Sequence, residues 1–362
     1  MSPRPSTEGA QPRRGVSFRI AASFAGLFLG AALCEGLLRV LGVFPSAWPA
    51  PYRHLYPEFQ AAQDYSSHYG RYKPGSEIPV FVEGRVILGR IDELGYLGTP
   101  GRQPVEGDLL VFGDSFAYGF GVPAERAFAA LMDGYNAGFW GQSFPFHAGV
   151  FNRVVPVIRP TRALWIIYPP HVITCGHGWV TRRNVDPATH PVLAFLLACY
   201  NETRLSTLVL KATGWGANRS DYYTLEWSLY DPKDTLPDSG YARFESAATE
   251  IVQSARRQHV QLIPVLVPSK NRIGLELEHL RPPPYVGGPL VPGLAEERMA
   301  SILERHGVPR SQQVNLMDLM RGAPQAWRGY YFKGDAHFSE AGNAAVAAYL
   351  KDRLARLPAP GS

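Results

Sequence analysis

The chain has 362 residues, 46% of them hydrophobic and 12% aromatic, with 36 Lys and Arg against 31 Asp and Glu for a formal net charge of +5. That is enough apolar material for one large or two small cored domains, and the aromatic content argues that 36 Gly and 32 Pro mark turns rather than wholesale disorder. The positive excess is mild and scattered, so no nucleic-acid interface is expected; the three cysteines, Cys34, Cys175 and Cys199, lack metal-finger spacing, and no metal site is expected.

Residues 1–19 are polar and basic, with Arg4, Arg13, Arg14 and Arg19 facing only Glu8. Ile20 to Cys34 then runs without a charge, and Gly36 to Phe44 continues it, broken only by Arg39. A membrane-spanning helix needs ~20 apolar residues. Counting through Val43 reaches that length if Glu35 and Arg39 lie near one interface, and their four-residue spacing lets them pair on one helix face. A cleaved signal peptide, a lipoprotein and an uncleaved signal anchor compete. Leu33-Cys34-Glu35 is a poor cleavage site, and Leu33 is not the small residue a lipoprotein cysteine follows. The expectation is an anchor over residues 20–43, a basic cytoplasmic tail before it and the remainder in the periplasm or outside the cell, making a single-pass inner-membrane protein. Cys175 and Cys199 can bridge in an oxidising compartment or stay as separate thiols.

Residues 44–105 are rich in Pro, Tyr and Gly and read as a linker and irregular lead-in, with one short strand at Arg85 to Arg90. From about residue 107 the pattern changes. Leu109 to Phe112, Ala163 to Tyr168, Val260 to Val267 and Val314 to Leu319 read as strands, the first two as buried strands of a parallel sheet. Ala124 to Met132, Tyr241 to Gln258, Leu294 to Arg305 and Ser339 to Arg356 read as helices, the last with Ser339 as N-cap and Arg353 and Arg356 at its end. Residues 191–213 start out helical in pattern and then lose it. Alternating strands and helices imply an α/β domain with a parallel sheet, whose sites form beyond the carboxyl ends of the strands. Residues 172–240 break the alternation and read as an insertion.

Two segments carry chemistry. Gly113-Asp114-Ser115-Phe116-Ala117-Tyr118-Gly119 puts a serine directly after the first strand, where backbone N–H groups at a helix start can face developing negative charge. The bland alternative is an ordinary Asp/Ser N-cap. Gly334-Asp335-Ala336-His337-Phe338-Ser339, followed by Ala341-Gly342-Asn343, puts an imidazole just before the last helix. Imidazole is a base suited to a serine hydroxyl near pH 7, and Asp335 can fix its tautomer.

Together the segments resemble the SGNH, or GDSL, hydrolase superfamily. GDSFAYGFGV is similar to its nucleophile block and DAHFSEAGN to its C-terminal block, and their order and separation of about 220 residues also match. The resemblance spans roughly residues 105–356, with residues 172–240 unmatched. It implies a three-layer α/β/α domain on a flavodoxin-like parallel sheet over residues 106–358, a Ser115–His337–Asp335 triad, and no metal or organic cofactor. Asn136-Ala137-Gly138-Phe139-Trp140-Gly141 resembles the second block, which implies an oxyanion hole from the N–H groups of Ser115 and Gly141.

Two departures qualify the likeness. Where the family usually places Gly-x-Asn-Asp after its third strand, this chain has Tyr168-Pro169-Pro170-His171. Loss of an oxyanion donor costs on the order of 3 kcal/mol, about a hundredfold in rate, so His171, Tyr168 or His177 must replace it, or activity is slow or lost. Asp335 stands two residues before His337, where many relatives space the acid three before. That spacing resembles alginate-type O-acetyltransferases, which are periplasmic or membrane-linked. Asp114, Tyr168, His171 and Lys270 are the weaker candidates for substrate contact, with Trp140, Trp179, Trp215 and Trp227 as possible sugar-stacking faces. The expected activity is hydrolysis of an acetyl-type ester on an acylated glycan or cell-envelope compound. O-acetyl transfer to an extracellular polysaccharide stays open, as does a non-catalytic glycan-binding or assembly role.

Overall fold

The computed structural model describes residues 14–40, 61, 70–101, 103–140, 144–173, 226–235, 237–281 and 289–358. Two compact units make up the chain, one of Met1–Trp48 with Thr181–Asn218 and one of Pro49–Val180 with Arg219–Ser362.

The first unit contains helix α1, Arg14–Val40. No helix among the described residues is long and apolar enough to cross a membrane, so the expected span over residues 20–43 is not supported. The helix takes in Arg14 and Arg19 at one end and Glu35 and Arg39 at the other, and each charge in hydrocarbon costs ~2.5–3.5 kcal/mol even on the lenient insertion scale. Its large apolar side chains are nonetheless exposed: Leu27, Phe28, Leu29, Leu33, Leu37 and Val40 lie between 58% and 84% open. Cys34 is a free, exposed thiol. Cys175 and Cys199, and the pattern at residues 191–213, lie outside the described residues.

The second unit is built on a five-stranded sheet of β3 (Leu110–Gly113), β4 (Tyr135–Gly138), β5 (Arg162–Ile167), β6 (Gln261–Leu266) and β7 (Val314–Asn315). Every pairing is parallel and the order is β4-β3-β5-β6-β7. Counted within this sheet the order is 2-1-3-4-5, the flavodoxin-like doubly wound arrangement, whose site lies where the winding reverses between the first and third strands. Those are β3 and β5.

Side chains alternate across the sheet, and each face has its own apolar layer. On one side Leu110, Phe112, Trp165, Ile167 and Leu262 join α3 (Phe144–Ile158), α4 (Asp238–Arg257) and α6 (Leu294–Arg305). On the other, Val111, Leu164, Ile166, Ile263 and Val265 join the final helix α7, Glu340–Arg356. Each fully buried large apolar side chain contributes ~1.5–3 kcal/mol relative to exposure, which makes two-sided burial the main source of the sheet's stability. His147, on α3, is a core histidine: Trp165 Nε1 donates to its Nδ1 at 3.1 Å.

Three local expectations are corrected. The segment from Ala124 to Met132 is not one helix but a 3-10 turn, Ala124–Arg126, and a short helix, Phe128–Leu131, separated by extended Ala127; the side chain of Asn343 accepts from Phe128 N at 3.0 Å and so starts the second piece afresh. The last strand stops at Asn315 and gives way to the helix Met317–Gly322, because Asn315 Oδ1 accepts from Met317 N at 2.9 Å. Residues 70–101 are more than an irregular lead-in. The strand Arg85–Arg90 (β2) is present, but it pairs antiparallel with Glu77–Val82 (β1), and Tyr72, Ile78, Val80, Ile91 and Tyr96 are buried in the main core. Helix α3 is an element beyond those expected from the sequence; its buried side chains recur at helical spacing from Phe144 to Ile158, although Pro156 lies inside it.

Candidate active site

The turn that carries Ser115 begins where β3 ends. Gly113 has φ +142°, and a Cβ there would sit 2.4 Å from the carbonyl oxygen of Ile166 on β5, so the chain can leave the sheet at this point only as glycine. Asp114 caps the next turn, accepting from Phe116 N at 2.9 Å, and Ser115 is the first residue of the short helix α2, Ser115–Tyr118. Gly138, at the end of β4, packs directly beneath: a Cβ would lie 2.1 Å from Tyr118 N. Asn136 holds this contact, accepting from Gly138 N at 2.9 Å and donating to Tyr118 O at 3.3 Å.

The second segment arrives from the far end of the chain. Its turn is closed by Phe332 N donating to His337 O at 3.0 Å and tied to β6 by Tyr331 Oη donating to Pro268 O at 2.7 Å. Ser339 caps α7, accepting from Gly342 N at 3.2 Å, and buried Asn343 donates to Phe338 O and Ser339 O. The result brings His337 Nε2 to 2.6 Å from Ser115 Oγ and His337 Nδ1 to 2.5 Å from Asp335 Oδ1. A carboxylate facing Nδ1 favours the tautomer with the proton there, leaving Nε2 to accept from the serine hydroxyl. The two-residue spacing is workable because Asp335 Oδ1 also accepts from the backbone N–H of His337 at 2.9 Å, forming an Asx turn that carries the carboxylate back to its own imidazole. Phe116 and Phe120 pack on the ring, with centroids 5.0 and 4.4 Å from it, and Trp140 packs on Phe120 at 5.1 Å.

At the third position, after β5, His171 Nδ1 lies 3.2 Å from Asp114 Oδ2. Burial raises the pKa of Asp114, but His171 beside it and the Phe116 N–H outweigh it, and the net shift is downward. The buried aspartate next to Ser115 is therefore favoured in its ionised form by a histidine on the loop after β5. Tyr168 is buried against Phe116 and His171. Lys270 points elsewhere: its Nζ donates to the backbone carbonyl of Phe332, so its contacts are to protein rather than to open space for a substrate. Trp227 is buried. Gly141, His177, Trp179 and Trp215 lie outside the described residues. Among the described residues no group of three His, Cys, Asp or Glu could hold a metal ion.

One buried group at the same sheet edge titrates near neutrality. Glu226 accepts from Ser269 and Tyr230 hydroxyls and from Asn271 Nδ2, yet burial pushes its carboxyl up to about 7. Folding therefore favours the protonated form. The contribution is full below the unfolded value of ~4.3 and is lost as pH rises through about 7. Thermal midpoints should fall between pH 5 and 8 more steeply in the wild type than in Glu226→Gln; equal slopes would remove this account.

Asn136, Asn343, Phe116 and Phe120 were visible only as letters of the motifs. Their roles depend on partners 18 to 221 residues away, Tyr118 for Asn136 and His337 for Phe116.

No family model and no curated protein matches the chain. Among solved structures, an esterase, EstA, from Pseudoalteromonas sp. is 11% identical over 68% of this chain and 96% of its own, with a TM-score of 0.36. A lipolytic protein of the G-D-S-L family from Desulfitobacterium hafniense is 15% identical over 68% and 98%, with a TM-score of 0.35. The chain is similar to solved esterases. A third, described as an alpha/beta hydrolase enzyme from the metagenome of Lake Arreo, Spain, is 14% identical over 71% and 98%, with a TM-score of 0.39. Likenesses this distant carry no argument about chemistry, which rests on the geometry above.

Proposed function

We propose that the second unit is an SGNH/GDSL-type serine enzyme acting on ester bonds, and the observation that carries this is the continuous Ser115–His337–Asp335 hydrogen-bonded relay. In this mechanism Ser115 Oγ attacks the ester carbonyl while His337 Nε2 takes its proton. Asp335 keeps the imidazole oriented and stabilises its charged form. The tetrahedral oxyanion is received by the N–H of Ser115 and, by the family resemblance, that of Gly141. His337 then returns the proton to the leaving alcohol, and an acyl-serine remains. Water attacks it to release the acid; a sugar hydroxyl in place of water makes the same residues an O-acyltransferase. The proposed substrate is an acetyl-type ester of an acylated glycan or cell-envelope compound. Trp140, beside Phe120, supplies an aromatic face near the base. Membrane attachment through α1, with this unit in the periplasm or outside the cell, is proposed from the exposed apolar side chains of that helix; recovery in the soluble fraction after lysis without detergent would sink it.

Labelling with a fluorophosphonate, then acetate release from acetylated oligosaccharides measured beside transfer to an unacetylated one, tests the activity and separates hydrolysis from transfer. The absent third-block asparagine favours the second reading, a non-catalytic glycan-binding protein on the same fold. Binding alone, however, has no use for the relay.

In the catalytic reading His171 stands in for that asparagine, fixed by Asp114 at 3.2 Å. His171→Ala is then expected to lower kcat about a hundredfold and His171→Asn, which restores an amide donor, to recover part of it. Activity of the alanine variant within twofold of wild type would exclude His171 from the oxyanion hole.

A further inference from the structure

The acid of the relay sits on a partly exposed turn. Asp335 lies on a short turn with Gly334 before it, and its side chain is about a quarter exposed. A Cβ at Gly334 would meet nothing within 4 Å, so the turn is not held by packing there. The Asx turn fixes the Asp335 carboxylate on its own backbone, but the backbone itself must be held in place, since displacement of a catalytic group by about 1 Å can cost a hundredfold in rate.

Two charged side chains from distant elements grip this turn from opposite directions, both through its backbone. From the β1–β2 hairpin, Glu83 Oε1 accepts from Lys333 N at 2.7 Å and from Gly334 N at 3.3 Å. From the start of α5 (Lys270–Leu277), Lys270 Nζ donates to Phe332 O at 2.5 Å and lies 3.5 Å from Lys333 O. Thus the peptide units 332–333 and 333–334, one unit before Asp335, have their donors on a glutamate and their acceptors on a lysine. Phe332 anchors the same spot through a small apolar cluster with Val82, Val122 and Ala127, and Val82 is the residue before Glu83.

The hairpin turn is itself shaped for this. Glu83 has φ +45° and Gly84 φ +77°, the two left-handed positions of a tight two-residue hairpin, where Asn-Gly or Asp-Gly is the unstrained choice. Glutamate is disfavoured in that backbone, and its longer side chain is what reaches the 333–334 amides. Lys270 is partly desolvated, which lowers its pKa, while the charges of the Asp335 and Glu83 carboxylates pull the other way.

We propose that Glu83 and Lys270 are positioning residues that clamp the 332–335 turn and so hold Asp335 on His337. The hairpin from the lead-in segment then completes the active site without touching substrate. This rests on the serine-relay reading, and the test keeps the two separable by using one readout that needs no turnover. In the full chain, the rate of fluorophosphonate labelling at Ser115 reports the assembled relay. The low-field proton resonance of the His337 imidazole reports its bond to Asp335 whether or not any substrate is known.

Glu83→Ala and Lys270→Met are each expected to slow labelling about tenfold and to broaden or remove the resonance, with thermal midpoints within a few degrees of wild type. Glu83→Gln, which keeps an acceptor oxygen, and Lys270→Arg, which keeps a cationic donor, should restore most of both signals. The proposal is overturned if the alanine and methionine variants label at the wild-type rate with the resonance intact, if the conservative variants lose as much as the others, or if every loss tracks a lower thermal midpoint. A wild type that shows the resonance but never labels would sink the enzymatic reading alone, and the clamp would still be judged by the resonance. A wild type without the resonance would sink the clamp.

Discussion

Replacing Ser115 with alanine is expected to abolish fluorophosphonate labelling and to lower ester turnover by on the order of 10⁴–10⁶-fold, with little change in stability. Among the described residues around His337, Asp114 is buried and occupied by Phe116 N and His171, and the neighbouring rings of Phe116 and Phe120 carry no nucleophilic atom. The fold should tolerate the change because the cap of α2 is Asp114, not Ser115. Loss of one hydroxyl leaves His337 Nε2 without its 2.6 Å partner, but the ring is half-buried and stays packed between two phenylalanines. Mass spectrometry of labelled protein and initial rates on a chromogenic acetate ester measure the effect. Labelling of the alanine variant, or turnover within tenfold of wild type, would mean that the reaction runs elsewhere.

Asp335→Asn should be nearly as damaging, about 10³–10⁴-fold in kcat, for a different reason. The shape of the turn persists only when the amide oxygen takes the place of Oδ1, which in the wild type both accepts from His337 N at 2.9 Å and faces His337 Nδ1. What fails is the chemistry of the bond to Nδ1. With an amide NH₂ turned toward Nδ1, the imidazole is driven to the tautomer protonated on Nε2, which cannot take the proton of Ser115. With the amide oxygen turned that way, the charged imidazole of the transition state still lacks its counter-ion. KM should change little, as Asp335 sits behind the base rather than on substrate. If kcat falls by less than tenfold, Asp335 orients the loop but does not serve the base, and another acid must be sought.

The legible parts of the molecule were those whose signal is contiguous. The runs at Leu110–Gly113, Arg162–Ile167 and Gln261–Leu266 are apolar on both faces because parallel strands are covered twice. The apolar spacing of Asp238–Arg257 and Leu294–Arg305, and the Ser339 cap of the last helix, follow from single-helix rules. Elements were misjudged where a remote side chain intervened: Asn343 restarts the helix at Phe128 from 215 residues away. Asn315, by contrast, ends its strand through a local bond to Met317 N that the apolar Val314, Leu316 and Met317 around it obscure. The hairpin of residues 77–90 was half seen, because its turn is Glu-Gly rather than the Asn-Gly that announces such turns.

For the site, the order of residues along the chain was sufficient to nominate Ser115, His337 and Asp335, since a nucleophile after one strand and a base before the last helix are features of neighbouring residues. Their meeting across 222 positions was decided by the sheet order, which sets β3 and the last loop at one edge. The same holds for the pairing of Asp114 with His171, for the titration of Glu226 near neutrality and for the grip of Glu83 and Lys270 on the turn of the acid. Local pattern records which backbone each residue prefers. Burial, desolvation and contacts between distant segments exist only after the chain has closed on itself, and those are the terms that position charge.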